Sequence, residues 1–199
     1  MRFLPFRPYT GWNILFCLSI LFAYQPAGAQ SLDMDMFDNM KARSIGPAGM
    51  SGRVTAVDVV LDDPDHIYVG TASGGMWESH SGGISWEPIF DEQDVASIGA
   101  LAIYQKNPSI IWAGSGEGNP RNSQTSGAGI YLSRDGGKSW ELKGLKNTRN
   151  IHRILIHPEN PNVVYAGVQG SAWGTHPERG VFKTTDGGES WEKILFAND

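Results

Sequence analysis

The chain has almost no cysteine, since Cys17 is the one thiol in 199 residues. Cys17 lies in a leader segment and follows Phe16 rather than the small residue of a bacterial lipidation site. The mature chain is therefore expected to lack disulfides and a lipid anchor of that type. Basic residues are also few, with 16 Lys and Arg against 21 Asp and Glu. This acidic balance argues against nucleic acid and anionic membranes as partners.

The chain also lacks an apolar run long enough to span a membrane. Residues 14–24 are apolar, but they fall well short of the roughly 20 residues that a spanning helix needs. Arg2 and Arg7 precede this run and an A-x-A cleavage site follows it at residues 27–29. We predict that residues 1–29 are a signal peptide. The protein is then exported to the periplasm, the outer membrane or the outside, with no membrane span after cleavage and a net charge of −7 instead of −5.

Capped amphipathic helices are missing after residue 30, although residues 32–42 can form a short, frayed one. The 25 glycines, with frequent Asn, Asp, Pro and Ser, are typical of an all-β chain with many turns. We treat residues 30–43 as a lead-in and residues 44–199 as one folded region.

What the chain does have is a repeat. The octapeptides SHSGGISW, SRDGGKSW and TTDGGESW end at Trp86, Trp140 and Trp191, at spacings of 54 and 51 residues. Spacings of this size are typical of a four-stranded β-propeller blade. Each octapeptide follows two alternating apolar strands, with prolines such as Pro64, Pro108 and Pro161 expected in the turn between them.

The predicted fold is therefore all-β, with about three four-stranded antiparallel blades of an incomplete β-propeller. The blades are placed at approximately 52–91, 95–146 and 149–196. Three blades do not close a ring, because known propellers have about four or more. We expect further blades on a longer chain, or assembly of several copies, to cover the open sheet faces.

The octapeptide predicts a turn held by its own side chains. An aspartate accepts backbone N–H groups, glycines supply positive φ, and the Trp packs between blades. Ser81 replaces the aspartate in the first copy, so that turn should be held more weakly. The structural residues are Ser79, Ser81, Gly83, Trp86, Ser133, Asp135, Gly137, Trp140, Thr184, Asp186, Gly188 and Trp191.

These octapeptides resemble the Asp-box, or BNR, repeat, S-x-D-x-G-x-x-W. Families with this repeat include sortilin-type receptors, xyloglucan-hydrolysing glycosidases, sialidases and a photosystem II assembly factor. The runs SIGPAGMSGRVTAV, YVGTASGGMWES and GEGNPRNS look most like large exported bacterial proteins described as sortilin N-terminal-like or BNR-repeat glycosyl hydrolase-like. That resemblance implies the fold without fixing an activity.

The glycosidase branches of this resemblance imply catalytic groups that the chain lacks. Ala72 occupies the place of the catalytic base of the xyloglucan-hydrolysing family, and an alanine cannot take a proton. The Arg-Ile-Pro segment of sialidases is also absent. We therefore assign no catalytic residue and lean against an enzyme.

Candidate binding residues lie in the two long loops, at residues 115–128 and 170–179, because long polar loops on a rigid scaffold often bind ligands. The candidates are Glu117, Asn119, Arg121, Trp173, His176 and Arg53. The alternative is structural: Trp173 packs back on the propeller, Glu117 pairs with Arg121, and Arg53 is paired near the central channel.

No cofactor or metal site is predicted. His66, His80 and His157 show no neighbours at metal-ligand spacing, and the acidic run Asp62, Asp63 and Asp65 lacks a calcium-loop pattern. The predicted function is an exported binding or scaffold module for a protein or carbohydrate ligand. The alternative is the amino-terminal part of a xyloglucanase-like or sialidase-like glycoside hydrolase.

Overall fold

A computed structural model describes residues 53–119 and 121–196. The predicted signal peptide, the lead-in and residues 44–52 lie outside the described residues. The described part contains twelve strands and no helix. In this part no helix is long and apolar enough to cross a bilayer.

The strands form three antiparallel sheets of four, each in simple chain order. The first sheet contains β1 (Val54–Val60), β2 (Asp63–Thr71), β3 (Met76–Ser79) and β4 (Glu87–Pro88). The second contains β5 (Ile98–Ile103), β6 (Ile111–Ser115), β7 (Ile130–Ser133) and β8 (Glu141–Leu142). The third contains β9 (Ile151–His157), β10 (Asn160–Val168), β11 (Gly180–Thr184) and β12 (Glu192–Phe196). The predicted all-β class with three four-stranded sheets is confirmed.

Two prolines depart from the expected turn positions. Pro64 is the second residue of β2 and Pro161 the second residue of β10. The pairing is irregular near both prolines. The β1–β2 register shifts between Val59 and Val60 of β1, and the β9–β10 register shifts between Asn160 and Val164 of β10. Proline is tolerated at strand starts and irregularities, because no regular ladder bond is lost there. Pro108 does lie in the β5–β6 connection.

The hydrophobic core lies between successive sheets. One cluster joins the first and second sheets and is built on buried residues such as Tyr68, Phe90 and Ile111. A second cluster joins the second and third sheets and includes Trp112 and Phe182. Each sheet therefore buries its faces by packing on its neighbour, as blades of a propeller do.

The middle blade differs from the two outer blades in burial. Every residue of β6 and β7 is buried, and all but one of β5. In contrast, Val57 on β1 is 62% exposed and Leu155 on β9 is 66% exposed. The outer blades each present one apolar face that no described residue covers.

Candidate functional site

The long loops lie at one end of the sheets, which we call the loop face. It comprises the β2–β3, β6–β7 and β10–β11 connections together with the starts of β1, β5 and β9. Backbone bonds tie these segments together: Gly75 N donates to Ala96 O at 2.8 Å and Gly127 N donates to Arg149 O at 2.6 Å. The loop face is therefore a connected surface and not a set of separate loops.

Arg53 and Glu117, both predicted as binding candidates, form an ion pair across the first two blades. The Arg53 Nη2 lies 2.6 and 2.5 Å from the two Glu117 carboxylate oxygens, and Nε lies 2.9 Å from Oε1. The Glu117 side chain is fully buried and its backbone N–H donates to Ser97 Oγ at 3.0 Å. The expected alternative, local pairing of Glu117 with Arg121, is wrong, because the blade packing brings the distant Arg53 to the carboxylate.

Asn119 and Arg121 lie near the tip of the β6–β7 connection. The Arg121 side chain is exposed, whereas Asn119 O accepts a hydrogen bond from Gln124 Nε2 at 3.2 Å. The same Gln124 amide lies 3.4 Å from Gln169 Oε1 at the base of the next long loop. Gln124 thus links the two long loops, a role that sequence reasoning missed.

Trp173 is 70% exposed on the β10–β11 connection. The expected alternative, in which Trp173 packs back on the propeller, is therefore wrong. Its loop is nevertheless held in place, because the Arg179 guanidinium donates to the carbonyls of Gln169, Ser171 and Gly174 at 2.7 to 2.9 Å. A rigid loop that exposes an indole is a suitable platform for stacking.

His176 lies at the base of this loop and not beside the tip. Its ring sits against Gly170, where a Cβ would come within 2.7 Å of it, and its Nδ1 accepts the Glu178 N–H at 3.3 Å. Gly170 has a φ of +70°, so this close approach depends on glycine. The contact helps to fix the loop that carries Trp173.

Two further polar side chains lie at the start of β9, below the long loops. His152 and Asn150 each have a buried side-chain atom, Nδ1 and Oδ1, without a hydrogen-bond partner among the described residues. Burial, and secondarily the Arg153 charge, lower the pKa of His152, which favours the neutral imidazole. Both atoms are enclosed by the β6–β7 connection, His152 Nδ1 against Gly118 and Asn150 Oδ1 against Gly116, so neither is open to a ligand on the loop face.

Ala72, which stands at the position of the xyloglucanase base, is buried in the β2–β3 connection. Its backbone N–H donates to Arg53 O at 2.9 Å, beside the Arg53–Glu117 pair. Glu117 is the one carboxylate that is buried among the described residues. That carboxylate is held by two guanidinium nitrogens, so a proton transfer from it would have to break the pair.

The octapeptide turns lie at the opposite end of the blades. In the second blade, Asp135 Oδ1 accepts the Ser139 N–H at 2.9 Å, and Ser133 Oγ accepts the Gly137 N–H at 2.8 Å. In the third blade, Asp186 and Thr184 make the corresponding bonds at 3.0 and 2.9 Å. In the first blade Ser81 Oγ accepts the Ser85 N–H at 2.9 Å, but serine has one hydroxyl oxygen where aspartate has two carboxylate oxygens.

The octapeptide tryptophans reach toward the preceding blade. Trp140 Nε1 donates to Ile89 O at 2.6 Å, and Trp191 Nε1 donates to Lys143 O at 2.7 Å. Trp86, in the first described blade, instead donates to Gly83 O of its own turn at 3.0 Å. Two of the three indoles therefore bond one blade to the blade before it.

The turns and the stacked sheets together are those of three β-propeller blades with turns of the Asp-box type. Residues 131–142 match the BNR/Asp-box repeat model. No curated protein matches the chain in sequence.

Solved structures support this class. An ancestral GH74 enzyme is similar over 74% of this chain and 19% of its own, at 27% identity and a TM-score of 0.56. The GH74 xyloglucanase from Xanthomonas campestris matches 76% of this chain and 22% of its own, at 19% identity and a TM-score of 0.53. YCF48 bound to D1 peptide matches 71% of this chain and 40% of its own, at 15% identity and a TM-score of 0.50.

The chain thus spans 19 to 40% of the length of these structures. The predicted Asp-box propeller class, with a likeness to glycosyl hydrolase propellers, is confirmed.

Proposed function

We propose that this chain is a module of an exported β-propeller that binds a protein or glycan ligand on its loop face. The observation that carries the proposal is the 70% exposure of Trp173 on a loop that Arg179 holds at three carbonyls. A tryptophan buries about 150–250 Å² when a partner covers it, which makes it a strong anchor for a ligand.

The surroundings of Trp173 also support a ligand. The linked side chains of Gln124 and Gln169 offer amide groups next to the loop, and Arg121 is exposed on the β6–β7 connection that carries Gln124. An aromatic surface with a few fixed polar groups is the usual composition of a binding site. The D1 peptide in the YCF48 structure and the name xyloglucanase supply the two ligand classes to test.

Replacement of Trp173 tests the proposal. The protein is purified from the exported fraction. An amino terminus at Gln30 in the purified protein would support cleavage of the signal peptide and export. The protein is applied to an array of glycans, including xyloglucan oligosaccharides, and to a peptide array, and the best ligand is titrated calorimetrically. Trp173→Ala should weaken binding at least about tenfold, because truncation of a central aromatic anchor costs about 2 kcal/mol.

Ile84→Ala is the matched control for this experiment. Ile84 is 90% exposed and lies in the first octapeptide turn, away from the loop face. Its replacement should leave the affinity unchanged. Equal affinity of Trp173→Ala and the unchanged protein would contradict the proposal, as would the absence of any ligand on both arrays.

A glycoside hydrolase is the second candidate, favoured by the 27% identity to the ancestral GH74 enzyme. In this candidate the chain is the amino-terminal part of an enzyme, and the acid and base come from blades outside the described residues. Ala72 and the engaged Glu117 carboxylate favour binding without hydrolysis. Release of reducing sugar from a xyloglucan ligand by the full-length protein, above the level of a protein-free blank, would favour the hydrolase instead.

A further inference from the structure

The β2–β3 hairpin brings together three side chains that can ligate a metal. The strands pair Ile67 with Ser79 and Tyr68 with Glu78, so His66 and His80 fall opposite one another at the next position. Because side chains alternate along a strand, His66, Glu78 and His80 share one face of the first blade. No neighbour at metal-ligand spacing was predicted for either histidine, but the fold places Glu78 beside both.

The distances between the ligand atoms fit a small tetrahedral ion. Glu78 Oε2 lies 3.4 Å from His66 Nε2 and 3.6 Å from His80 Nε2, and all three atoms lie within 4.8 Å of one another. A zinc ion with bonds of about 2.0–2.1 Å at tetrahedral angles holds neighbouring ligand atoms roughly 3.3–3.4 Å apart. Small side-chain rotations therefore bring the three atoms to zinc-bonding positions.

Neighbouring residues pack against the His66 side chain and leave the His80 side chain open to solvent. The His66 ring lies 4.6 Å from the ring of Tyr68, which is buried and whose hydroxyl lies 3.5 Å from Gly136 O of the second blade. The Glu78 and His66 side chains are 15 and 16% exposed, whereas that of His80 is 61% exposed. An ion can thus enter from the side of His80.

Burial, and then the Glu78 carboxylate, raise the pKa of Tyr68, so Glu78 also interacts with that hydroxyl. The ring centroids of His66 and His80 lie 3.9 Å apart, with the ring planes tilted by 36°. The other carboxylate at this cleft, Asp135, is already bonded to Ser133 and Ser139 of its own turn. Two imidazoles and one carboxylate are a ligand set that suits zinc, and three protein ligands leave a fourth position for water or an exogenous ligand.

We propose that His66, Glu78 and His80 bind one Zn²⁺ ion, with its fourth coordination position open to the cleft between the first two blades. The site is independent of the loop face, which lies at the other end of the blades. Its failure would leave the proposed ligand binding untouched.

Zinc binding to the untagged mature protein tests this site. The protein is first dialysed against a chelator, and zinc is then titrated in competition with a chromophoric chelator. The expected stoichiometry is one zinc per chain. His80→Ala should weaken binding by at least about a hundredfold, because even the loss of an outer-sphere partner costs about 10- to 100-fold.

His157→Ala is the control, since His157 is an exposed histidine at the end of β9 and outside the cluster. It should leave the affinity unchanged. X-ray absorption of the zinc-loaded protein should show only nitrogen and oxygen ligands, with the multiple-scattering signature of two imidazoles.

His80 is largely exposed, so its replacement should not impair folding, and a circular dichroism spectrum checks this. The absence of stoichiometric zinc binding would overturn the proposal. An equal loss of affinity in His80→Ala and His157→Ala would also overturn it, since that result indicates nonspecific binding to surface histidines.

Discussion

Asp135 and Asp186 use both carboxylate oxygens to close a turn of five residues. In each case one oxygen accepts the backbone N–H of the serine four residues later, and the other accepts the hydroxyl of the same serine. The hydroxyl of Ser139, then its N–H, and then Ser133 lower the pKa of Asp135 to about 2. The corresponding bonds, led by that of the Ser190 hydroxyl, also lower the pKa of Asp186. The ionised carboxylate is the form that holds the turn.

Protonation of these aspartates should therefore loosen the turns. A carboxyl group whose pKa is lower in the folded state contributes stability above its unfolded pKa of about 3.9 and loses it as pH falls through the folded pKa. We expect the urea midpoint to fall as pH drops from about 4 to about 2. The double variant Asp135→Asn, Asp186→Asn should show a shallower fall over that window.

The control for this pH prediction is Asp62→Asn, because Asp62 lies in the exposed β1–β2 turn. Urea unfolding followed by tryptophan fluorescence at each pH gives the comparison. Asp135 is largely solvent-exposed, so its turn should contribute only about 1 kcal/mol. A pH profile of the double variant that parallels the unchanged protein would contradict this account.

At the scale of the blade, the octapeptide tryptophan acts as a connection between sheets. The Trp140 indole bonds to Ile89 O after β4 and packs edge-on against Phe90, with ring centroids 5.1 Å apart. Trp191 repeats this arrangement with Lys143 O and the Trp112 ring. Trp86 bonds within its own turn, so the same residue type has a local role in one blade and a connecting role in two.

Replacement of the indoles by phenyl groups should separate these roles. Trp140→Phe removes the donor to Ile89 O and should lower the free energy of unfolding by about 1–2 kcal/mol. Faster amide hydrogen exchange should appear in both the first and second blades, because the lost bond joins them. Trp86→Phe should raise exchange only around its own turn. Equal effects of the two variants across both blades would contradict the connecting role.

The sequence predicted the blade far better than the contacts between blades. Apolar residues that alternate with a period of two predict the strands, and the octapeptide predicts the turn between the third and fourth strands. Both signals are local in the sequence. The partner of Glu117 was not predictable, since Arg53 lies 64 residues away and only blade stacking brings it near. The His66 cluster was missed for the same reason, although the Glu78-x-His80 spacing was a visible signal within one strand.

The exposure of Trp173 was open to two interpretations from sequence. Nothing in a polar, glycine-containing loop distinguishes an indole that packs back from one that faces solvent. The deciding contacts are the bonds from the Arg179 side chain to three loop carbonyls, and such side-chain-to-backbone bonds have no sequence pattern. Binding residues on loops are thus less predictable than the scaffold that carries them.

At the scale of the whole molecule, the middle blade shows what a covered blade looks like. Its strands are almost wholly buried, whereas Val57, Leu155 and Leu195 on the outer blades are 58 to 66% exposed. We infer that further blades, or further copies of the chain, cover these faces in the functional protein. Apolar faces next to open strand edges otherwise favour association.

The isolated mature chain should therefore self-associate. Sedimentation velocity at rising concentration should show species larger than the monomer, and the double variant Leu155→Lys, Leu195→Lys should shift the distribution toward monomer. Ile84→Lys adds a charge at an exposed site away from these faces and should not. A monomer at every concentration would show that the outer faces need no cover.

The two indole bonds between blades, from Trp140 and Trp191, point the same way along the chain, from a later blade to an earlier one. A polypeptide leaves the ribosome with its amino terminus ahead, so each new sheet meets an earlier sheet whose carbonyl oxygen can accept the hydrogen bond of the incoming indole N–H. The packing of the blades therefore has a direction, from the amino-terminal blade to the carboxy-terminal blade. Loss of the leading blade leaves a later tryptophan without its acceptor, whereas loss of the trailing blade leaves every remaining described indole bond of this kind in place.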